Sequence, residues 1–198
     1  MEKVIYKTIS PEEMKRIENL KVQSLHRYQG LFHRIVDGRN ANIEFFEIEN
    51  EITPDFEFTD DFRAKIIQEK IFFEERLEAV TEVLNRRGFR NISGTNEPLK
   101  INMEKRMFRT ISPQEMERIR NVKVQSLHRY QGLFYRIADG RSADLEFFEK
   151  QNEILPYVEL PAGLKAKIEH ERNVFTERLE AVTAELNRRG FNKFTGIN

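Results

Sequence analysis

Polar and apolar residues follow two different periods along this chain, and the same succession of periods is met twice. A short alternating stretch, Val4 to Ile9 and again Arg106 to Ile111, predicts a brief strand or extended arm. Ser10-Pro11-Glu12-Glu13 and Ser112-Pro113-Gln114-Glu115 then predict helix starts: the serine caps, the proline takes the first helical position, and the third-position glutamate closes a capping box. Met14, Ile17, Leu25, Tyr28, Phe32 and Ile35 fall on one stripe of period 3.6, so a first helix is expected from Pro11 to about Val36. Asp37-Gly38 and Asp139-Gly140 read as its stops. A shorter second helix is expected from Ala41 to Ile52, begun by Asn40 or Ser142 and ended before Pro54 or Pro156. Residues 54–59 and 156–163 read as loops. A long third helix, striped by Phe62, Ile66, Phe73, Leu77, Val80 and Leu84, is expected from about Asp60 to Arg87 and closes on Gly88 and Gly190. Arg86-Arg87 and Arg188-Arg189 suit the negative end of its dipole. The tails 89–94 and 191–196 can pair with the opening arm as a small β-ribbon.

The repetition extends to the residues themselves. Residues 1–96 match 103–198 without a gap at 59 of 96 positions, and Lys21 to Phe32 returns unbroken as Lys123 to Phe134. A repeat this long is a folding unit, well beyond the 20–50 residues of a solenoid module. The expected organisation is therefore a helical unit over 1–96, a linker over 97–102 and a second helical unit over 103–198. The fold class is mainly α: two tandem homologous units, each with two long antiparallel helices and a short one, packed as a pseudo-two-fold assembly in which like surfaces meet. A covalently joined ancestral homodimer would have this form.

Composition narrows the function. The chain has 39% apolar and 33% charged residues, and no apolar run approaches the length of a membrane span. The segment from Met1 to Pro11 lacks the apolar core of a secretion signal, and there is no cysteine, so a cytoplasmic protein is expected. Thirty-three basic residues balance thirty-three acidic ones, which leaves no overall field to attract nucleic acid or an anionic membrane.

Two constellations can carry chemistry. Glu44, Glu47 and Glu51 share a helix face, Glu75 and Glu78 form another E-x-x-E pair, and all five recur as Glu146, Glu149, Glu153, Glu177 and Glu180. Carboxylates so spaced can hold Mg²⁺ or Mn²⁺, and equally form the solvated faces of charged helices. The pairs Glu44-Phe45-Phe46-Glu47 and Glu75-Arg76-Leu77-Glu78 resemble the E-x-x-E and E-x-x-D motifs of the all-α nucleoside triphosphate pyrophosphohydrolases, with Glu78 where that family has aspartate. The resemblance implies a metal-dependent nucleotide hydrolase using Glu44, Glu47, Glu75 and Glu78 with Glu146, Glu149, Glu177 and Glu180.

The second constellation is the face of the first helix opposite its apolar stripe: Gln23, Arg27, Gly30 and Arg34, with Gln125, Arg129, Gly132 and Arg136. It can receive a protein partner or a small anionic ligand, or it can pack against the sister unit. Lys21, Ser24 and Glu69 fall in or near apolar stripes and, if buried, require a polar network or pocket. Phe45-Phe46 and Phe72-Phe73 point to different faces and are expected to bridge contacts within and between the units. His26 and His128 recur alone, without a zinc spacing. The sequence thus points to a non-catalytic interaction protein without a cofactor, its two repeats paired intramolecularly. The metal-dependent hydrolase is the alternative.

Overall fold

The structure is a computed structural model that describes residues 7–48, 52, 59–89, 109–150, 153–155 and 163–191. Those residues are mainly helical and contain no strand. Each half of the sequence contributes one short and two long helices. These are α1 (Pro11–Asn19), α2 (Val22–Glu47) and α3 (Asp60–Arg86), then α4 (Pro113–Asn121), α5 (Val124–Lys150) and α6 (Leu164–Arg188). The proposed β-ribbon residues lie mostly outside the described residues, as do the linker 97–102 and most of the loops at 54–59 and 156–163.

Three expected helix boundaries are corrected, the plainest being the end expected at Ile52: α2 closes at Glu47, and Ile48 is already extended, with ψ of 144°. The short helix comes first, not between the long ones, because the chain turns extended at Leu20 and Lys21, with ψ of 148° and 149°. That break frees the last carbonyls of α1, which must find donors. Arg87, at the far end of α3, donates to the Leu20 carbonyl at 2.7 Å and to the Glu18 carbonyl, and Arg189 treats Val122 and Arg120 in the same way. Arg87 and Arg189 therefore serve the neighbouring short helix as well as the end of their own. The third correction is at Asp37-Gly38, where the helix does not stop. The stripe continues through Ile35, Gly38, Asn42 and Phe45, all buried, and fuses the expected first and second helices into α2. The predicted starts hold: Ser10 and Ser112 each accept from the third-position N–H at 3.1 Å, and α3 begins at Asp60 under a Thr59 cap.

The four long helices pack antiparallel in the order α3, α2, α5, α6. Gln29 meets Thr81 and Arg63 meets Glu47 between α2 and α3, and Gln131 meets Thr183 and Lys165 meets Glu149 between α5 and α6. Down the middle, α2 crosses α5 with Gly38 against Gly140. A Cβ placed on Gly38 would lie 2.8 Å from the Gly140 Cα, so the backbones touch and only glycine fits.

Because α2 and α5 each extend past the crossing, the apolar cores mix the two halves. Leu25, Tyr28, Phe32 and Ile35 of α2 and Phe73, Val80 and Leu84 of α3 pack with Ala143, Phe147 and Ile154. The other core joins Leu127, Tyr130, Phe134, Ile137, Leu179 and Val182 to Ala41, Phe45 and Ile52. Phe147 sits within 5.4–5.5 Å of the Phe32 and Phe73 ring centres, and Phe45 within 5.5–6.3 Å of Phe134, Phe175 and Tyr130. The expected bridging by the aromatic pairs thus runs through Phe45 and Phe73, and Phe46 packs edge-on against Phe62 of its own half.

Candidate functional site

The arginines of the expected partner-binding face lie along the crossing. Arg34 donates two hydrogen bonds to Asp139, at 2.6 and 2.9 Å, and Arg136 returns the arrangement to Asp37 at 2.7 Å. Glu146 and Glu44 extend each pair, at 3.6 and 3.3 Å. Arg34 and Arg136 are raised above the ordinary guanidinium range, first by the hydrogen bonds to Asp139 and Asp37, against the opposing cost of burial. Arg27 reaches Glu153 at 2.9 Å and Arg129 reaches Glu44 at 3.4 Å. Gln23 and Gln125 are exposed, Gly30 and Gly132 half-buried, and a Cβ at Gly132 would meet nothing within 4 Å. Arg34, Arg129 and Arg136 are thus engaged between α2 and α5, and Arg27 with Glu153 beyond the end of α5.

The glutamate pairs are not brought together. Glu47 binds Arg63 near the start of α3, whereas Glu75 accepts from the Thr8 N–H and hydroxyl, at 2.7 and 2.6 Å, twelve residues further along that helix. Twelve helical residues span about 18 Å. Burial works against the Glu75 carboxylate, but the bonds from Thr8 and Lys7 outweigh it and hold it below the usual range. Glu177 accepts from Thr110 in the same way, Glu149 meets Lys165, and Glu146 meets Lys150 at 2.8 Å. Glu78 is exposed and Glu180 buried. Among the described residues no group of three or more histidines or carboxylates is placed to hold a metal ion.

What the helices do enclose is a cavity of about 620 Å³ beside the crossing. The N-terminal halves of α3 and α6 line it with Phe62, Lys65, Ile66, Leu164, Lys167 and Ile168. Phe72, Phe73, Phe147, Phe148 and Leu155 add to its apolar wall. At one end stands a buried pair, Glu13 with Arg76 at 2.8 Å, where the guanidinium also donates to the Phe72 and Thr8 carbonyls and stacks 3.3 Å over the Phe72 ring. Burial dominates this pair: it pushes the Glu13 carboxyl up and the Arg76 guanidinium down, and each partner only partly offsets the other's shift.

At the other end, Arg39 and Arg141 converge on one carboxylate oxygen. Arg39 Nη2 lies 2.6 Å from Asp144 Oδ2 and Arg141 Nη1 lies 3.1 Å from the same atom. Glu69 accepts from Arg39 Nε at 2.9 Å and Glu171 meets Arg141 at 2.7 Å, so the glutamate that interrupts the third helix's stripe belongs to a polar network. Burial draws the Arg141 guanidinium down, but Asp144, Glu171 and Glu69 together hold it above its ordinary range. Lys21 is exposed and Ser24 half-buried.

This cluster keeps its hydrogen-bonding capacity only partly filled. Arg39 Nη1, Arg141 Nε and Asp144 Oδ1 are buried and have no partner among the described residues, and the side chains that carry them are 2%, 7% and 1% exposed. A buried polar atom left unpaired costs about 1–3 kcal/mol, which in a folded core is tolerated where water or a ligand completes it. Sequence reasoning found Glu69 and missed Arg39, Arg141 and Asp144, because Gly38 was read as a helix end. On a continuous helix, Arg39 and Asn42 fall in register with Ile35 and Phe45, and a charge in that stripe is the available signal.

The chain matches no family description, no curated protein and no solved structure. The reading of the site rests on its geometry.

Proposed function

We propose that this protein is a non-catalytic binding protein, built as two homologous helical units fused in one chain and paired about a pseudo-two-fold axis at Gly38 and Gly140, and that the pairing frames a pocket for a small molecule. The reciprocity of the contacts supports the pairing: Arg34 to Asp139 and Arg136 to Asp37 are the same interaction under the 102-residue offset of the repeat. The observation that carries the binding function is the cavity, whose volume falls in the 300–1,000 Å³ range of small-ligand sites and whose lining joins an aromatic wall to a few buried polar groups. The sequence admits either a protein partner or a small ligand. The engagement of Arg34, Arg129 and Arg136 along the helix junction, and of Arg27 with Glu153, favours the small ligand.

Titration with the uncharged, polarity-sensitive dye N-phenyl-1-naphthylamine tests this reading. Saturable binding of one dye per chain is expected, with loss of at least about tenfold in affinity in Leu164→Trp, which adds bulk at a lining position in the first turn of α6. The double variant Glu47→Gln, Glu149→Gln is expected to bind the dye unchanged, because both side chains sit on exposed ion pairs. Nucleotide hydrolysis that requires Mg²⁺ or Mn²⁺ and disappears in that double variant would establish the hydrolase instead.

A further inference from the structure

We propose that the cavity selects an uncharged apolar molecule bearing a hydroxyl group, which Arg39, Arg141 and Asp144 read together. The inference rests on the ligand-binding reading and adds the identity of the ligand's head group. Three buried atoms lack partners at this end of the cavity: two donors, Arg39 Nη1 and Arg141 Nε, and one acceptor, Asp144 Oδ1. Their side chains are held in one small volume because both guanidiniums bind Asp144 Oδ2. The group that complements two donors and one acceptor accepts twice and donates once. A hydroxyl oxygen, with two lone pairs and one proton, does this.

Charged heads fit less well. A carboxylate or phosphate has no proton to give to Asp144 Oδ1 and would set its own negative charge directly against that carboxylate. An ammonium has no lone pair for Arg39 or Arg141 and is repelled by both. Either ion would also leave water for a site walled by Phe147, Phe148 and Phe73, a transfer that is costly without a full set of partners. The apolar wall explains why the body of the ligand is hydrophobic, and the cluster explains why its head is polar and neutral.

The cluster is also asymmetric. The position related to Asp144 by the repeat is Asn42, so the carboxylate that both arginines grip stands on one side of the cluster only.

Four intrinsically fluorescent probes with a common body test the proposal on the full chain: pyrene, 1-pyrenemethanol, 1-pyrenecarboxylate and 1-pyrenemethylammonium. At pH 7, 1-pyrenemethanol is expected to bind about tenfold or more tightly than each of the other three, the margin that one or two unpaired buried polar groups impose. In Asp144→Asn the carboxylate is expected to gain about tenfold relative to the alcohol, because a negative charge has been removed and an amide donor gained. Binding of all four within about threefold of one another would overturn the hydroxyl selection and leave the pocket reading intact. Tighter binding of the carboxylate or the ammonium by the unaltered chain would overturn it as well. If no probe binds saturably, the ligand-binding reading falls, and the head-group inference falls with it. The preferences of the unaltered chain decide the matter even if Asp144→Asn fails to fold.

Discussion

The crossing of α2 and α5 and the cavity beside it lie on the same helices, yet the two halves of the sequence treat them differently. The ion pairs and the glycine contact of the crossing are made by repeated residues, Arg34 and Arg136, Asp37 and Asp139, Gly38 and Gly140, Glu44 and Glu146, whereas the Arg39–Asp144 contact between the same helices, at the cavity's edge, is not repeated. Around the cavity most positions are repeated as well, Arg39 with Arg141 and Glu69 with Glu171 among them, but several diverge: Asp144 answers to Asn42, Phe72 to Val174, Phe62 to Leu164, Leu155 to Thr53 and Gln68 to His170. A surface that meets its own equivalent must be self-complementary, so a change on one side has to be answered on the other. A cavity that encloses one molecule carries no such constraint, and each side can adapt to a different part of it. The difference separates residues that hold the molecule together from residues that shape what it holds.

The sharpest way to break that division is to remove one side of the crossing altogether. In a fragment of residues 1–102, Phe32 and Phe73 lose Phe147, and the first core loses Ala143 and Ile154. The fragment is expected to lack a stable monomer and to fold only by pairing with a second copy, giving a concentration-dependent thermal transition and a dimer by analytical ultracentrifugation. Such a dimer would keep the glycine contact and the Arg34–Asp37 exchange but carry Asn42 on both sides, so it should fold and still lose hydroxyl selection. A monomer that unfolds cooperatively at a midpoint independent of concentration would sink this account of the crossing.

Gly38→Ala is the next largest. The added methyl meets backbone on the far side, at 2.8 Å from the Gly140 Cα and 3.0 Å from the Arg136 carbonyl oxygen, so no side chain can move aside to admit it. Overpacking of this kind costs about 1–3 kcal/mol, against which alanine recovers at most about 1 kcal/mol of helix propensity. Urea denaturation is expected to show a net loss, with Gly140→Ala behaving alike because the contact is shared. A gain in stability from either substitution would show that the helices have room to part.

On the cavity side, Phe72→Val gives the first half the residue that the second half carries at position 174. The Arg76 guanidinium loses the ring it stacks on but retains Glu13, the Thr8 oxygens and the Phe72 main-chain carbonyl. The expected stability cost is about 1–2 kcal/mol, from a cation–π contact and part of a buried ring. Dye affinity should change with it, whereas Gly38→Ala should reduce binding only through folding. If Phe72→Val lowers stability but leaves affinity untouched, the aromatic wall does not contact the ligand.

Much of this layout is legible in the sequence, for physical reasons that also set its limit. Helix starts at Ser10, Ser112 and Thr59 are local chemistry, and the stripes of α3 and α6 follow from period alone. Gly38 misleads because glycine ends helices by adopting a positive φ, as Gly88 and Gly190 do at 83° and 87°, whereas Gly38 remains helical to let another backbone approach. The two uses of glycine differ in tertiary contacts that no local window contains. The break at Leu20-Lys21 is hidden for the same reason, since the donors that stabilise it come from Arg87, 67 residues away. The polar end of the cavity becomes visible only once α2 is known to be continuous.

The smallest expected effect concerns a divergence away from both regions, at Val83 and Glu185. Glu185 binds Arg188 at 2.7 Å and Arg189 at 2.5 Å, and Arg189 in turn caps the end of α4 through the Val122 and Arg120 carbonyls. The bond from Arg188, then that from Arg189, lowers the Glu185 carboxyl to about 2 against the opposing effect of burial. A carboxyl depressed on folding stabilises the folded state above its unfolded value near 4.5, and that contribution is lost as pH falls toward 2. Arg87 caps α1 with valine, not a carboxylate, at the position equivalent to Glu185, so only the second half carries this acid sensitivity at this position. Glu185→Gln should therefore be modestly less stable than the unaltered chain at pH 7, and the gap in urea midpoint should close between about pH 5 and pH 2. A gap that stays constant across that window would mean the side chain acts through packing, and the acid response of the two helix ends would then be the same.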